Sequence, residues 1–215
     1  MDSIPISTEL KMELERAANL HEFVKLNIPC HPNATTDAEI LVIALYSLVE
    51  EHHSAILGLF KLGAYDGSAL ALIRPVIDAA LRAHWTYSVA TPDHLSKIRV
   101  NKATYPNDIN RIAAEIDKKM KTGGIFSAIK TYVPTMHAYT HGGFEQLVYR
   151  FDENGDIRPN YPHLVKVRAI VAVTGYFAGV AIALLQMQSE NPEDDPRAKA
   201  ISDLYVSMYG AVTIL

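Results

Sequence analysis

At 215 residues, 49% hydrophobic and 20% charged, the chain is long enough to bury a sizeable core, and its composition excludes wholesale disorder. A formal net charge of −4, from 20 Lys and Arg against 24 Asp and Glu, excludes nucleic-acid binding by bulk electrostatics and leaves only a local basic patch open. The single cysteine, Cys30, excludes an intrachain disulfide and a cysteine-based zinc site and fits a reducing compartment.

The N-terminal residues have neither the basic nor the apolar region of a signal peptide, so a cytoplasmic protein is expected. Ser7 to about Asn27 predicts a first helix with Leu10, Leu14 and Ala17 inward, ending before Pro29. After a Pro-rich and Asn-containing loop, Thr36 and Glu39 form a capping box for a long second helix that runs to about Leu62 and stops at Gly63. On that helix Leu41, Leu45, Leu48, His52, Ala55, Ile56 and Leu59 share a face, which turns His52 towards the core and His53 away from it.

The turn at residues 63 to 68 is short enough to make the next helix an antiparallel neighbour. That next run, Ala69 to Tyr87, is apolar except for a stripe: Arg74, Asp78, Arg82 and Trp85 fall within about 80° of one another on a helical wheel. Buried charges are costly unless paired, so the stripe is a structural ion pair or the wall of a polar site. Pro75 lacks an N–H and clashes with the carbonyl of Ala71, which predicts a kink or restart.

Thr91 and Pro92 cap and open a short helix, and Asp108 to about Lys121 reads as an amphipathic one. Ile125 to Tyr132 and the segment after Pro134 give two further short helices. The latter sets His137 and His141 four residues apart on one face. Asn154 and Gly155 between apolar runs predict a small β-hairpin insertion over about 147–158. Pro162 then opens a long apolar helix. Its uncharged run, residues 169 to 189, includes Gly175 and Gly179 and is long enough for a membrane span. Its polar residues, and the lack of any accompanying span, favour a buried central helix. A last helix starts near Arg197, and an apolar tail follows. The whole predicts one all-α domain over residues 1–215, a bundle of about seven to nine helices. There is no internal repeat, Gly-rich phosphate loop or nucleophile elbow, and no cofactor is expected.

Two stretches, residues 68–87 and 137–161, resemble a mostly bacterial, uncharacterised all-helical family with R-P-x-x-[E/D] and R-x-x-W followed by Y-T-H-x-G, a hairpin and N-Y. The matching positions are Arg74, Pro75, Asp78, Arg82 and Trp85, then Tyr139, Thr140, His141, Gly143, Asn160 and Tyr161. Asp78 stands where Glu is more usual, which shortens the acid's reach. The resemblance implies a helical fold and no established activity. A looser similarity is to HEPN domains, helical and often dimeric RNA-cleaving proteins with an R-x4-6-H motif, which Arg158 and His163 fit by spacing.

Three functions follow. An Arg and His polar centre of Arg74, Asp78, His137 and His141, or the HEPN-like pair Arg158 and His163, would act on RNA or another phosphodiester or nucleotide, with Tyr139, Arg82 and His52 binding substrate. Alternatively Arg74 and Asp78 grip the loop that carries the histidines, and the protein is a non-catalytic binding or assembly module. A third reading takes His137 and His141 as metal ligands of a hydrolase, completed by His52 or Asp78, in the style of DinB-type bundles. The apolar tail and the HEPN comparison favour a homodimer, with no membrane partner.

Overall fold

The computed structural model describes residues 7–29, 34–151, 154–157 and 160–210. Among them the architecture is all-α: α1 (Thr8–Asn27), α2 (Asp37–Leu62), α3 (Asp66–Ala71), α4 (Ile73–Ser88), α5 (Pro92–Arg99), α6 (Ile109–Met120), α7 (Val133–Thr140), α8 (Phe144–Val148), α9 (His163–Gln188) and α10 (Pro196–Tyr209). Short 3₁₀ turns precede α7 and α10. Cys30, Arg158 and the tail residues 211–215 lie outside the described residues.

Several of these boundaries follow from local chemistry. Ser7 and Thr36 accept hydrogen bonds from Leu10 N and Glu39 N, and Glu39 closes the capping box at the start of α2. Thr91 caps α5, with Pro92 at its first turn. Gly63 ends α2 at φ 68°, a left-handed conformation that costs glycine nothing.

The predicted restart falls at Leu72, which separates α3 from α4. Pro75 cannot donate to the carbonyl of Ala71, and that acceptor instead receives the Thr140 hydroxyl at 3.4 Å from α7. A backbone defect in one helix is thereby a docking point for another.

The predicted hairpin is corrected. Leu147 and Val148 belong to α8, and among the described residues only an isolated bridge joins Phe151 to Ile157. The asparagine and glycine turn forms between the two bridged residues, and residues 152, 153, 158 and 159 lie outside the described residues.

Helix α9 is the axis of the fold, packed by α1, α2, α4 and α10. Ile170, Val173, Phe177, Val180, Leu184 and Leu185 are fully buried, each contributing roughly 1.5–3 kcal/mol where a large side chain leaves water. Its two glycines serve this packing. A Cβ on Gly175 would lie 2.7 Å from the Tyr205 hydroxyl, and one on Gly179 would lie 3.1 Å from His84 Nε2. The G-x-x-x-G spacing admits α10 at one turn of this face and α4 at the next.

Candidate functional site

Among the described residues two polar centres and a cleft stand out. The first centre is largely the predicted one. Arg74 Nε donates to Asp78 Oδ1 at 3.0 Å, and Arg74 Nη1 lies 3.0 Å from His137 Nε2. His141 stacks on His137 with ring centres 5.6 Å apart. The guanidinium is mostly buried, with 13% of the side chain exposed, whereas both histidines are exposed. Arginine is always a donor, so His137 Nε2 accepts and its ring proton is on Nδ1. Asp78 already neutralises Arg74 at this centre.

The segment that carries these histidines is tied down by more than Arg74. Thr140 shares its hydroxyl proton between Ala71 O and Met136 O. The Gln146 amide on α8 donates to Gly67 O at 3.1 Å and Tyr139 O at 2.5 Å, joining α8 to α3 and α7. Gly143 closes the corner: a Cβ there would sit 2.8 Å from the Ala138 Cα. Tyr139 is buried against Tyr161, with ring centres 6.4 Å apart.

The remainder of the charged stripe does not converge on this centre. Arg82 lies over the Tyr105 ring at 5.8 Å, and its buried Nε has no hydrogen-bond partner among the described residues. Trp85 Nε1 donates to Glu115 at 2.7 Å, and Arg111 takes the other carboxylate oxygen at 2.9 Å. These two donors hold the Glu115 carboxyl below its usual range. One helical face thus serves α7 with its first turns and α6 with its last.

His163 stands apart from Arg74 in its bonding. Its Nδ1 lies 2.8 Å from Ser7 Oγ and its Nε2 2.7 Å from Glu9 Oε2, so it ties the start of α9 to the start of α1. Arg158, its predicted partner, is outside the described residues. Among the described residues no group of three or more His, Cys, Asp or Glu side chains is placed to hold a metal ion.

The second centre corrects the expectation for α2. His53 is fully buried, while His52 is half-exposed and makes no hydrogen bond among the described residues. The buried stripe is Val42, Tyr46, Val49, His53, Ile56 and Phe60, one residue on from the leucine stripe. His53 Nε2 lies 3.0 Å from Thr174 Oγ1, and His53 Nδ1 lies 3.0 Å from His21 Nδ1. His21 Nε2 in turn lies 3.7 Å from Glu50 Oε1. One consistent chain has the Thr174 hydroxyl donating to His53, His53 Nδ1–H donating to His21, and His21 Nε2–H facing Glu50. Both imidazoles stack on Phe177. Burial lowers the His21 pKa, and burial with the neighbouring His21 lowers that of His53 to about 3. His84, also buried, is lowered to about 4 by desolvation.

The cleft opens between α4, α7 and α9 and measures about 620 Å³. Leu70, Ile73 and Ile77 form one wall, Met136 and Tyr139 a second, and the Val165, Arg168 and Ala172 stripe of α9 a third. Among the described residues no acidic side chain lines it. Sequence reasoning missed this feature. The available signal was Arg168, a lone cation three residues after Val165 and four before Ala172 on an otherwise apolar helical face.

These features define an all-α domain wound on one central helix, with an apolar cleft beside a hydrogen-bonded Arg and His centre. The chain belongs to a family of unknown function, DUF6988, whose pattern it matches over residues 46–209. The matched region contains α9, the cleft and the Arg74 centre, and omits α1 and the first turns of α2. No curated protein and no solved structure matches the chain.

Proposed function

We propose that the domain is a non-catalytic binding module in which Arg74 and Asp78 clamp the His137 to His141 segment and so hold one wall of the cleft. The observation that carries this reading is the 3.0 Å contact between Arg74 Nη1 and His137 Nε2. It occupies the lone pair that a general base or a metal ligand would use. Thr140 and Gln146 support the same reading, because each reaches the backbone of α3 from the α7 and α8 segment. Met136 and Tyr139, which line the cleft, lie on the clamped helix.

The test pairs thermal denaturation with hydrolysis of bis(p-nitrophenyl) phosphate and cleavage of mixed-sequence RNA. Arg74→Ala should remove about 1–3 kcal/mol and lower the melting temperature by about 3–10 °C. Wild-type protein should show no turnover that His137→Ala, His141→Ala or His163→Ala abolishes. Turnover lost in one of those variants, with the melting temperature held within about 1 °C of wild type, overturns the reading.

A further inference from the structure

We propose that the cleft binds a single-chain amphiphile with a compact anionic head, the chain lying against the apolar walls and the head on Arg168. This rests on the binding-module reading and names the ligand class of its cleft. A cleft of about 620 Å³ is within the range that holds a small molecule of this size. Its lining is almost wholly aliphatic and aromatic, which suits a hydrocarbon chain and gives a sugar or nucleobase few polar partners.

Arg168 supplies the second, independent observation. It lies at the exposed edge of the cleft-lining stripe of α9, flanked by the half-buried Val165, Val171 and Ala172. It makes no hydrogen bond or ion pair among the described residues. Lys166, two residues earlier, shows the contrast: it is committed to buried Asp66 at 2.8 Å. With no carboxylate among the described lining residues, Arg168 keeps its fork of N–H donors for an incoming anion. A second copy of this chain would also cover apolar walls, but it would take the exposed Arg168 out of water with no carboxylate among the described lining residues to pair with it.

The experiment is titration calorimetry of the full chain with dodecanoate, dodecyl phosphate and 1-dodecanol below their aggregation concentrations. Wild-type protein should bind at least one of the two anions about tenfold or more tightly than the alcohol, and the tighter anion identifies the head group. Arg168→Gln should bring that anion to the level of the alcohol and leave alcohol binding unchanged. Ala172→Trp and Thr135→Trp, from opposite walls, should each block all three ligands, with circular dichroism confirming the fold. Equal binding of anion and alcohol by wild type, or no binding of any of the three, overturns the proposal. So does a wild-type dimer that either Trp variant converts to monomer while no amphiphile binds, a result that assigns the cleft to a second copy. None of these outcomes touches the Arg74 clamp, which is read separately from the melting temperature and turnover of its own variants.

Discussion

Acid should destabilise this fold well before its carboxylates titrate, because His53 and His84 are held neutral in the core. In the unfolded chain each takes a proton near pH 6.5, whereas in the fold burial defers protonation to about pH 3 for His53 and about pH 4 for His84. Between those limits the unfolded state binds more protons, so stability is fully present above pH 6.5 and falls as pH falls. The slope approaches about 1.4 kcal/mol per pH unit for each residue. At pH 5, some 1.5 units below the unfolded value, each histidine has removed about 2 kcal/mol, or about 4 kcal/mol for the pair. His21, whose pKa is lowered mainly by burial, adds in the same direction. Domain stabilities are typically about 5–15 kcal/mol, so the loss is a large share of the total. Urea unfolding followed by circular dichroism at pH 7.5, 6.0 and 5.0 measures it. His53→Gln should flatten the dependence by up to about 1.4 kcal/mol per pH unit over this range, though it also weakens the contacts to Thr174 and His21. Equal urea midpoints at pH 7.5 and 5.0, with unchanged m-values, would refute the reasoning. So would histidine proton resonances showing His53 and His84 titrating near pH 6.5 in the native state.

Lys166→Met should leave the Asp66 carboxylate buried without its cation and cost about 3–5 kcal/mol. Adding Asp66→Asn should recover most of that loss, as a double-mutant cycle by chemical denaturation would show. Gly143→Ala should overpack the corner against the Ala138 backbone and cost about 1–3 kcal/mol, seen as a melting temperature lowered by about 3–10 °C. Gly175→Ala should destabilise by pushing on the Tyr205 hydroxyl. In a Tyr205→Phe background the same change should turn neutral or stabilising, since alanine is better in a helix than glycine by about 1 kcal/mol. Destabilisation by Gly175→Ala that persists with Phe at 205 would show that the clash is elsewhere.

What the sequence disclosed and what it hid divide along one physical line. Helix ends were legible because each rests on a few adjacent residues: Thr36 with Glu39, Thr91 with Pro92, and Gly63 at φ 68°. The interruption near Pro75 was legible for the same reason. Which face turns inward was less so, and α2 shows why. The expected stripe, Leu41, Leu45, Leu48, His52, Ala55, Ile56 and Leu59, and the buried one, Val42, Tyr46, Val49, His53, Ile56 and Phe60, have the same helical spacing, lie about one residue apart and share Ile56. A helix apolar over so wide an arc gives periodicity nothing to choose between, and only its packing against α4 and α9 selects the second stripe. The hairpin failed in a related way, since a sound turn signal at Asn154 and Gly155 says nothing about whether the flanks find partners.

The charged stripe of α4 carries the argument furthest. Its residues do share a helical face, as the wheel requires, yet Arg74 and Asp78 serve α7 while Trp85 serves α6. A common face on a helix several turns long does not make a common site, because successive turns meet different neighbours about 5.4 Å apart along the axis. What unites Arg74 with Thr140 is instead the defect at Pro75. The proline frees the carbonyl of Ala71, the Thr140 hydroxyl answers it, and Arg74 reaches His137 one turn earlier on the same helix. The R-P element therefore acts as a socket for α7, and the cleft wall formed by Met136 and Tyr139 depends on it.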